Sequence, residues 1–234
     1  MADTAFRMGE IVEPRTVLVP SRTTLTGRTV SLVPLDPDAH AAALFEATHG
    51  PDADPQMWDY MAYGPFEDVA DLARSLRQFA VSDDPLWFAF LDNATGQPIG
   101  AGGYLRIDTS NRVIEIGHLL FGSAMQRSTM ATETIFLLIR HAFALGYRRV
   151  EWKCNGLNER SKRAALRFGF TFEGTFRRHM IVKGHNRDTA WFAITDGDWP
   201  RIERAFESWL APENFDGEGK QRQRLDTAIQ KTGE

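Results

Sequence analysis

The spacing of hydrophobic and polar residues changes abruptly in one stretch of the chain, where a strand, a turn and a helix follow one another. Val113–Phe121 is mostly apolar and predicts a strand, and the polar stretch Gly122–Met130 predicts a turn. Helical periodicity then predicts a helix from near Ala131 to Gly146, a residue type that favours the left-handed end of a helix. A helix start carries about four unpaired N–H groups and partial positive charge, and it attracts phosphates. We interpret the turn as a diphosphate site; the alternative is a plain connecting turn with a helix cap.

The rest of the pattern predicts a mixed α/β arrangement. Six further strands are predicted at about residues 29–33, 86–91, 98–107, 148–153, 171–182 and 188–194. Further helices are predicted from Asp38, at about 67–80, at about 158–168, and from a cap at Asp198. This order favours hairpin connections with at least one right-handed crossover, and it differs from the regular alternation of a doubly wound fold.

Length and composition indicate one domain with decorated ends. We expect the domain at residues 25–211, preceded by an irregular arm at 1–24 and followed by a polar tail at 212–234 that is either mobile or loosely docked. The chain is 43% hydrophobic and 25% charged, which is an ordinary globular balance. Its net charge of -4 argues against nucleic acid as the main partner.

Several function classes are disfavoured by what the sequence lacks. No apolar run approaches the roughly 20 residues of a membrane helix, and the first residues lack the apolar core of a signal peptide. We therefore expect a cytoplasmic protein without a membrane partner. Cys154 is the only cysteine, which excludes an intrachain disulfide. The 6 histidines show no close metal-ligand spacing, so we expect no metal.

Two motifs resemble those of a known family. Gln126–Ala131 resembles the coenzyme A motif of the GNAT superfamily, Gln/Arg-x-x-Gly-x-Gly/Ala, with Thr129 at the usual first glycine. Asn158–Gly174 resembles the RimJ/RimL-like branch, which acetylates the N-termini of ribosomal proteins. The resemblance covers about residues 25 to 195. It implies an α/β (α+β) fold with a central mixed, mostly antiparallel sheet of six to seven strands and helices on both faces.

The resemblance also implies a function. The cofactor is acetyl-CoA, and the acetyl group passes directly to a primary amine of a small molecule or of a protein N-terminus. A homodimer is compatible with the family. The alternative is a non-catalytic acyl-CoA sensor or scaffold, which the Cβ of Thr129 supports because it narrows the approach of a diphosphate to the backbone. The threonine hydroxyl could also serve as a donor.

The implied coenzyme A site combines main-chain groups of the strand and turn with polar side chains of the later helix. Its residues are Leu119, Phe121, Gln126, Arg127, Ser128, Thr129, Met130, Ala131, Thr132, Asn158 and Ser161. For Asn158 and Ser161 the alternative is a helix cap with a serine in the first turn. The basic residues of that helix either form a solvated face or meet the adenosine phosphates.

Two residues are candidates for proton transfer. Glu115 lies in an apolar strand, where burial would suit it as a general base; the alternative is an ion pair with Arg106 or Arg112. Many family members carry a tyrosine acid seven residues after the asparagine, but this chain has Ala165 there. Ser161 is therefore the candidate acid.

The acceptor side rests on aromatic residues. Trp58, Tyr60, Tyr104 and His118 are predicted to line the acceptor cleft, with Tyr63 and Trp191 as further candidates. We expect these rings to stack on, or enclose, a substrate carrying a ring or a cationic amine. The alternative is that the aromatic residues belong to the core.

Overall fold

One twisted sheet of eight strands organises the chain, and the computed structural model describes it over residues 9–227. The remaining residues of the predicted arm and tail, 1–8 and 228–234, lie outside the described part. The strand order is β1-β2-β3-β4-β5-β6-β8-β7. The strands are β1 (Leu25–Thr26), β2 (Val30–Pro34), β3 (Leu86–Asp92), β4 (Pro98–Asp108), β5 (Val113–Phe121), β6 (Arg149–Asn155), β7 (Thr171–Val182) and β8 (His185–Thr195).

Five α-helices flank the sheet. They are α1 (Pro37–His49), α2 (Val69–Ala80), α3 (Thr129–Ala144), α4 (Glu159–Arg167) and α5 (Trp199–Leu210). Only β5 and β6 pair in parallel, so the predicted mixed, mostly antiparallel sheet is confirmed. The strand number is one higher than the upper prediction, because the two-residue β1 is too short to show a periodicity.

Two hydrophobic cores lie on opposite faces of this sheet. The first core packs against α3, α4 and α5, and it includes Ile116 of β5 and Trp152 of β6. The second lies under α1 and α2 and includes Trp87 of β3. Because successive strand residues point to opposite faces, Glu115 and Lys153 lie on the face that α1 and α2 partly cover.

The sheet splits between its two central strands. Val113–Glu115 pairs with Arg149–Glu151, and no register continues beyond these three rungs. On its other edge β5 carries a bulge, because Gly117 and Leu120 oppose Gly103 and Ala101 of β4. A bulge bends a strand and increases its twist, and His118 in the bulge has a left-handed φ of 55°. The second half of β5 therefore turns away from β6.

The ends of the elements differ modestly from prediction. Helix α3 begins at Thr129 rather than near Ala131, because the Ser128 side chain caps it by accepting from the Ala131 N–H. The predicted loose tail is docked as far as it is described, since Thr227 is buried and its hydroxyl donates to the Arg167 carbonyl at 3.0 Å. Within the described residues no helix is both long and apolar enough to cross a membrane.

Candidate active site

The turn before α3 presents backbone donors at the protein surface. Ser128 Oγ accepts from the Ala131 N–H at 3.2 Å and donates to the Met125 carbonyl at 2.6 Å. In the described part of the chain the N–H groups of Thr129 and Met130 find no acceptor. Ser128, Thr129 and Met130 are half-buried, and Arg127 is exposed. The turn therefore leaves room for an anion at a helix start.

Thr129 does not strain this turn. The left-handed backbone position belongs to Arg127, with φ of 59°, whereas Thr129 is the first residue of the helix. Glycine is favoured where φ is positive, and Thr129 is not at such a position, so its Cβ adds no conformational cost. The replacement of the usual glycine by Thr129 therefore affects only the space available to a ligand at the turn.

Two predicted coenzyme-site residues are engaged inside the protein. Thr132 is buried, and its hydroxyl accepts from Arg167 Nη1 at 3.0 Å, so it has no surface for a phosphate. Ala131 is also buried. Gln126 Nε2 donates to the Phe121 carbonyl at 3.1 Å, and this bond links the turn to the end of β5. The Thr132 hydroxyl thus faces α4 and not the surface of the turn, so the structure does not support it as a phosphate donor.

The free edge of β5 faces the split in the sheet. Leu119 and Phe121 are half-buried, and β5 pairs there with β4 alone. Unpaired main-chain groups at a strand edge can pair with an extended chain. Both residues therefore lie where an added strand-like ligand would run.

Glu115 is the centre of a buried ion-pair network. Only 4% of the residue is exposed. Its Oε2 lies 2.7 Å from Arg106 Nη1 and 2.9 Å from Lys153 Nζ, and Lys153 Nζ also lies 2.7 Å from Glu151 Oε2. The ion-pair alternative is thus present, with Arg106 and not Arg112, and Lys153 was missed by sequence reasoning. Among the described residues no group donates to the other oxygen of Glu115, Oε1.

The start of α4 follows the helix-cap interpretation. Asn158 Oδ1 accepts from the Ser161 N–H at 3.0 Å, and Ser161 Oγ accepts from Trp152 Nε1 at 2.9 Å. Ser161 also lies beside Cys154, whose thiol pKa is raised because it is buried. The cap leaves Ser161 half-buried at the split beside β6.

The basic run of α4 is mostly paired. Arg160 bonds the Asp54 carboxylate and donates to Gln56 Oε1 at 2.9 Å, and Lys162 Nζ lies 2.6 Å from Glu159 Oε1. Arg163 is exposed. These pairs favour the solvated-face interpretation for Arg160 and Lys162.

His118 lies in the bulge of β5, beside the opening where this strand turns away from β6. Its ring stacks on Trp87 at 4.9 Å between centroids and lies 5.7 Å from Tyr63. Burial lowers the pKa of His118 to about 4, with further contributions from the charges of Arg106 and Arg187. The imidazole is therefore neutral at pH 7.

Trp191 lies on β8, opposite Lys153 of β6. Its ring carries Lys153 Nζ at 3.8 Å from the centroid, and Phe176 packs at 4.5 Å between ring centroids. One face of this ring is thus occupied by the protein's own cation. Arg187 of β8 also reaches this region and was missed, because its approach depends on the pairing of β8 with β6.

Two of the predicted acceptor residues belong to the cores instead. Tyr104 is 0% exposed, and its hydroxyl donates to the Leu138 carbonyl of α3 at 2.6 Å. Trp58 is 4% exposed and packs against His49 and Phe66. These contacts favour the core alternative for both rings, because the sequence did not reveal which ring faces a covering helix or loop.

Tyr60 stays near the opening. It is half-buried, and its hydroxyl donates to the Leu157 carbonyl at 3.2 Å. Lys183 Nζ, in the turn between β7 and β8, donates to the Trp58 carbonyl at 3.1 Å. The segment between α1 and α2 is thus tied to both the β6–α4 turn and the β7–β8 turn.

Two cavities were found around the sheet. A cavity of about 650 Å³ lies at the opposite end of β5 and β6, lined by arm residues and by Arg112 and Arg148. A smaller one of about 190 Å³ borders Gly122 and Ser123. Over residues 9–227 no cluster of His, Cys, Asp and Glu could hold a metal ion.

Comparisons with known proteins agree with the fold. The family model of the "Acetyltransferase (GNAT) domain" matches residues 29–171. A GCN5-related N-acetyltransferase from Brucella melitensis is 45% identical, with 90% of this chain and 95% of that chain covered and a TM-score of 0.87. A probable GNAT-family acetyltransferase from Chromobacterium violaceum is 38% identical, covering 86% and 100%, with a TM-score of 0.76.

A more distant solved structure shares the fold alone. The microcin C7 self-immunity acetyltransferase MccE, in complex with acetyl-CoA and AMP, is 22% identical, covering 72% of this chain and 93% of that chain, with a TM-score of 0.63. No curated protein matched the chain.

Proposed function

Because this chain belongs to the GNAT acetyltransferase family, we propose that it is an acetyl-CoA-dependent N-acetyltransferase that acts by direct transfer to a primary amine. The observation that carries the proposal is the split between β5 and β6, which opens beside the capped turn of α3. The split exposes a free edge of β5, and the start of α3 supplies backbone N–H donors. Together they suit a cofactor with an extended arm and a diphosphate.

The cofactor supplies an activated acetyl thioester when bound, and the chain supplies the groups that hold it. The open N–H groups of Thr129 and Met130 would receive the diphosphate, with Ser128 fixing the turn. The edge of β5 at Leu119 and Phe121 would align the extended arm. A main-chain N–H at this edge would stabilise the charge that develops on the thioester oxygen, a contribution of about 3 kcal/mol in comparable sites.

Proton transfer is assigned to the two polar groups at the split. Arg106 and Lys153 both contact Oε2 of Glu115, which leaves Oε1 to take the amine proton through water. Ser161 accepts from Trp152, which orients its hydroxyl to donate to the leaving thiolate. Cys154 is buried and is not assigned the role of a nucleophile.

A small amine fits the opening better than a protein N-terminus. Tyr60 and Lys183 tie the segment between α1 and α2 to the other half of the molecule. These ties enclose the acceptor side, and an extended polypeptide would have to displace them. The alternative acceptor is a protein N-terminus, because Asn158–Gly174 resembles the RimJ/RimL-like branch.

Amine-dependent release of the coenzyme A thiol tests the activity. We expect acetyl-CoA to bind in calorimetry and the thiol to appear only when a suitable amine is added. Glu115→Gln should lower kcat with little change in acetyl-CoA affinity, while Glu218→Gln in the exposed tail should leave both unchanged. Tight acetyl-CoA binding without thiol release across a broad panel of amines and N-terminal peptides would establish the sensor alternative.

A further inference from the structure

Arg187 carries a buried donor that the protein leaves unused. Its Nε is buried and has no hydrogen-bond partner within the described residues. A buried polar group without a partner is costly, and native proteins satisfy most such groups. Burial lowers the pKa of Arg187, and the neighbouring charge of Arg106 acts in the same direction. An anionic group could satisfy this donor and offset the charge of the guanidinium.

The neighbouring acidic groups are already neutralised by other cations. Glu115 contacts Arg106 and Lys153, and Glu151 contacts Lys153 and Arg149. Glu115 and Cys154 interact with Arg187 electrostatically, but neither bonds its Nε. Because Glu115 is already paired with Arg106 and Lys153, Arg187 adds positive charge at the opening.

The protonation of His118 is also affected by this excess of positive charge. Arg106 and Arg187 both disfavour its protonation, in addition to the larger effect of burial. Because a neutral imidazole cannot offset a cation, it adds no charge to the opening. Trp191 contributes a second unused donor, since its buried Nε1 also lacks a partner among the described residues. The indole can only donate, so a ligand rich in acceptors would satisfy both unused groups.

We propose that the acceptor is a small amine that also carries a carboxylate or phosphate group, and that Arg187 binds this group. The inference rests on the proposed function, since it names the substrate class of the same site. Arg187 is a specificity-determining residue here, because it holds the acid group and leaves the amine free to face the acetyl donor. The positive charge around it also favours the neutral, nucleophilic form of the amine.

Matched pairs of acceptors test the inference. One pair is phenylalanine and 2-phenylethylamine, which differ by the carboxylate; the other is phosphoethanolamine and ethanolamine, which differ by the phosphate. A charge-assisted bond of about 1.5–3 kcal/mol corresponds to roughly a 10- to 150-fold preference in kcat/KM for the acidic member. The pair that shows this preference distinguishes carboxylate from phosphate.

Arg187 variants assign the preference to the residue. Arg187→Gln should abolish most of the preference through a higher KM for the acidic acceptor, and Arg187→Lys should retain part of it. Arg148→Gln makes the same charge change at an exposed position on the far end of the sheet and should keep the full preference. Acetyl-CoA affinity and melting temperature confirm that each variant is folded.

The outcomes separate this inference from the proposed function. Equal or better turnover of the members without the acid group by the wild type would overturn the acidic-acceptor inference and leave the acetyltransferase activity standing. An unchanged preference in a folded Arg187→Gln variant would overturn the assignment to Arg187. Acetyl-CoA binding without thiol release from any amine would overturn both.

Discussion

Replacing Lys153 with methionine should destabilise the protein, because one ammonium group serves two buried carboxylates. Lys153 Nζ lies 2.9 Å from Glu115 Oε2 and 2.7 Å from Glu151 Oε2, and the lysine side chain is 5% exposed. The methionine keeps most of the aliphatic length and can still pack on the Trp191 ring. The change therefore removes mainly the charge.

The magnitude follows from what each carboxylate retains. Removing one partner of a buried ion pair typically costs about 3–5 kcal/mol. Glu115 keeps Arg106 at 2.7 Å, and Glu151 keeps Arg149 at 2.8 Å. We therefore expect the lower end, about 3 kcal/mol in the free energy of unfolding.

Urea unfolding followed by circular dichroism measures this loss. With a slope of about 3 kcal/mol per molar urea, the midpoint should fall by about 1 M. Lys220→Met, at an exposed position of the tail, serves as the control and should change stability by less than about 0.5 kcal/mol. A Lys153→Met protein as stable as that control would refute the view that the network needs its central cation.

Three further changes have defined outcomes. Tyr104→Phe removes the bond to the Leu138 carbonyl and should cost about 1–3 kcal/mol in urea unfolding, with the acceptor KM unchanged; a large rise in that KM would return the residue to the cleft. Ser128→Ala removes the cap on Ala131 and should cost about 1 kcal/mol while weakening acetyl-CoA binding in calorimetry; undiminished affinity would argue against the diphosphate site. The folded-state pKa of His118 is about 4, against 6.5 for the ordinary group, so the unfolded chain binds the extra proton between these pH values. Stability should therefore rise from pH 4 to 6.5 by up to about 3 kcal/mol on this account, and His118→Gln should flatten the rise in a pH series of melts; an identical slope would contradict it.

The sequence was most informative where local patterns decide the structure. The change from strand to helical periodicity around Gly122 located β5, the turn and α3, and the start of α3 was misplaced by two residues because Ser128 acts as its cap. The ion pair of Glu115 with Arg106 was also among the expected alternatives, since these residues lie on adjacent strands of one hairpin.

Long-range pairing explains what the sequence left open. Lys153 and Arg187 reach Glu115 and His118 only because β6 joins β5 in parallel and β8 joins β6. The chain pattern does not specify that register. Tyr104 and Trp58 were placed in the cleft because aromatic residues suit both cores and ligand sites, and strand alternation does not tell which face a helix will cover.

The three-rung pairing of β5 with β6 limits the shape of any guest between the strands. Six residues of β5, from Ile116 to Phe121, continue past the last rung, and at about 3.3 Å each they line a slot roughly 20 Å long. Only a thin, linear molecule with regularly placed amide groups can fill such a slot along its whole length. An acetyl donor built on a short thiol would leave most main-chain groups along the slot without a hydrogen-bond partner. The protein should therefore select acetyl donors by the length of the carrier as well as by its phosphates.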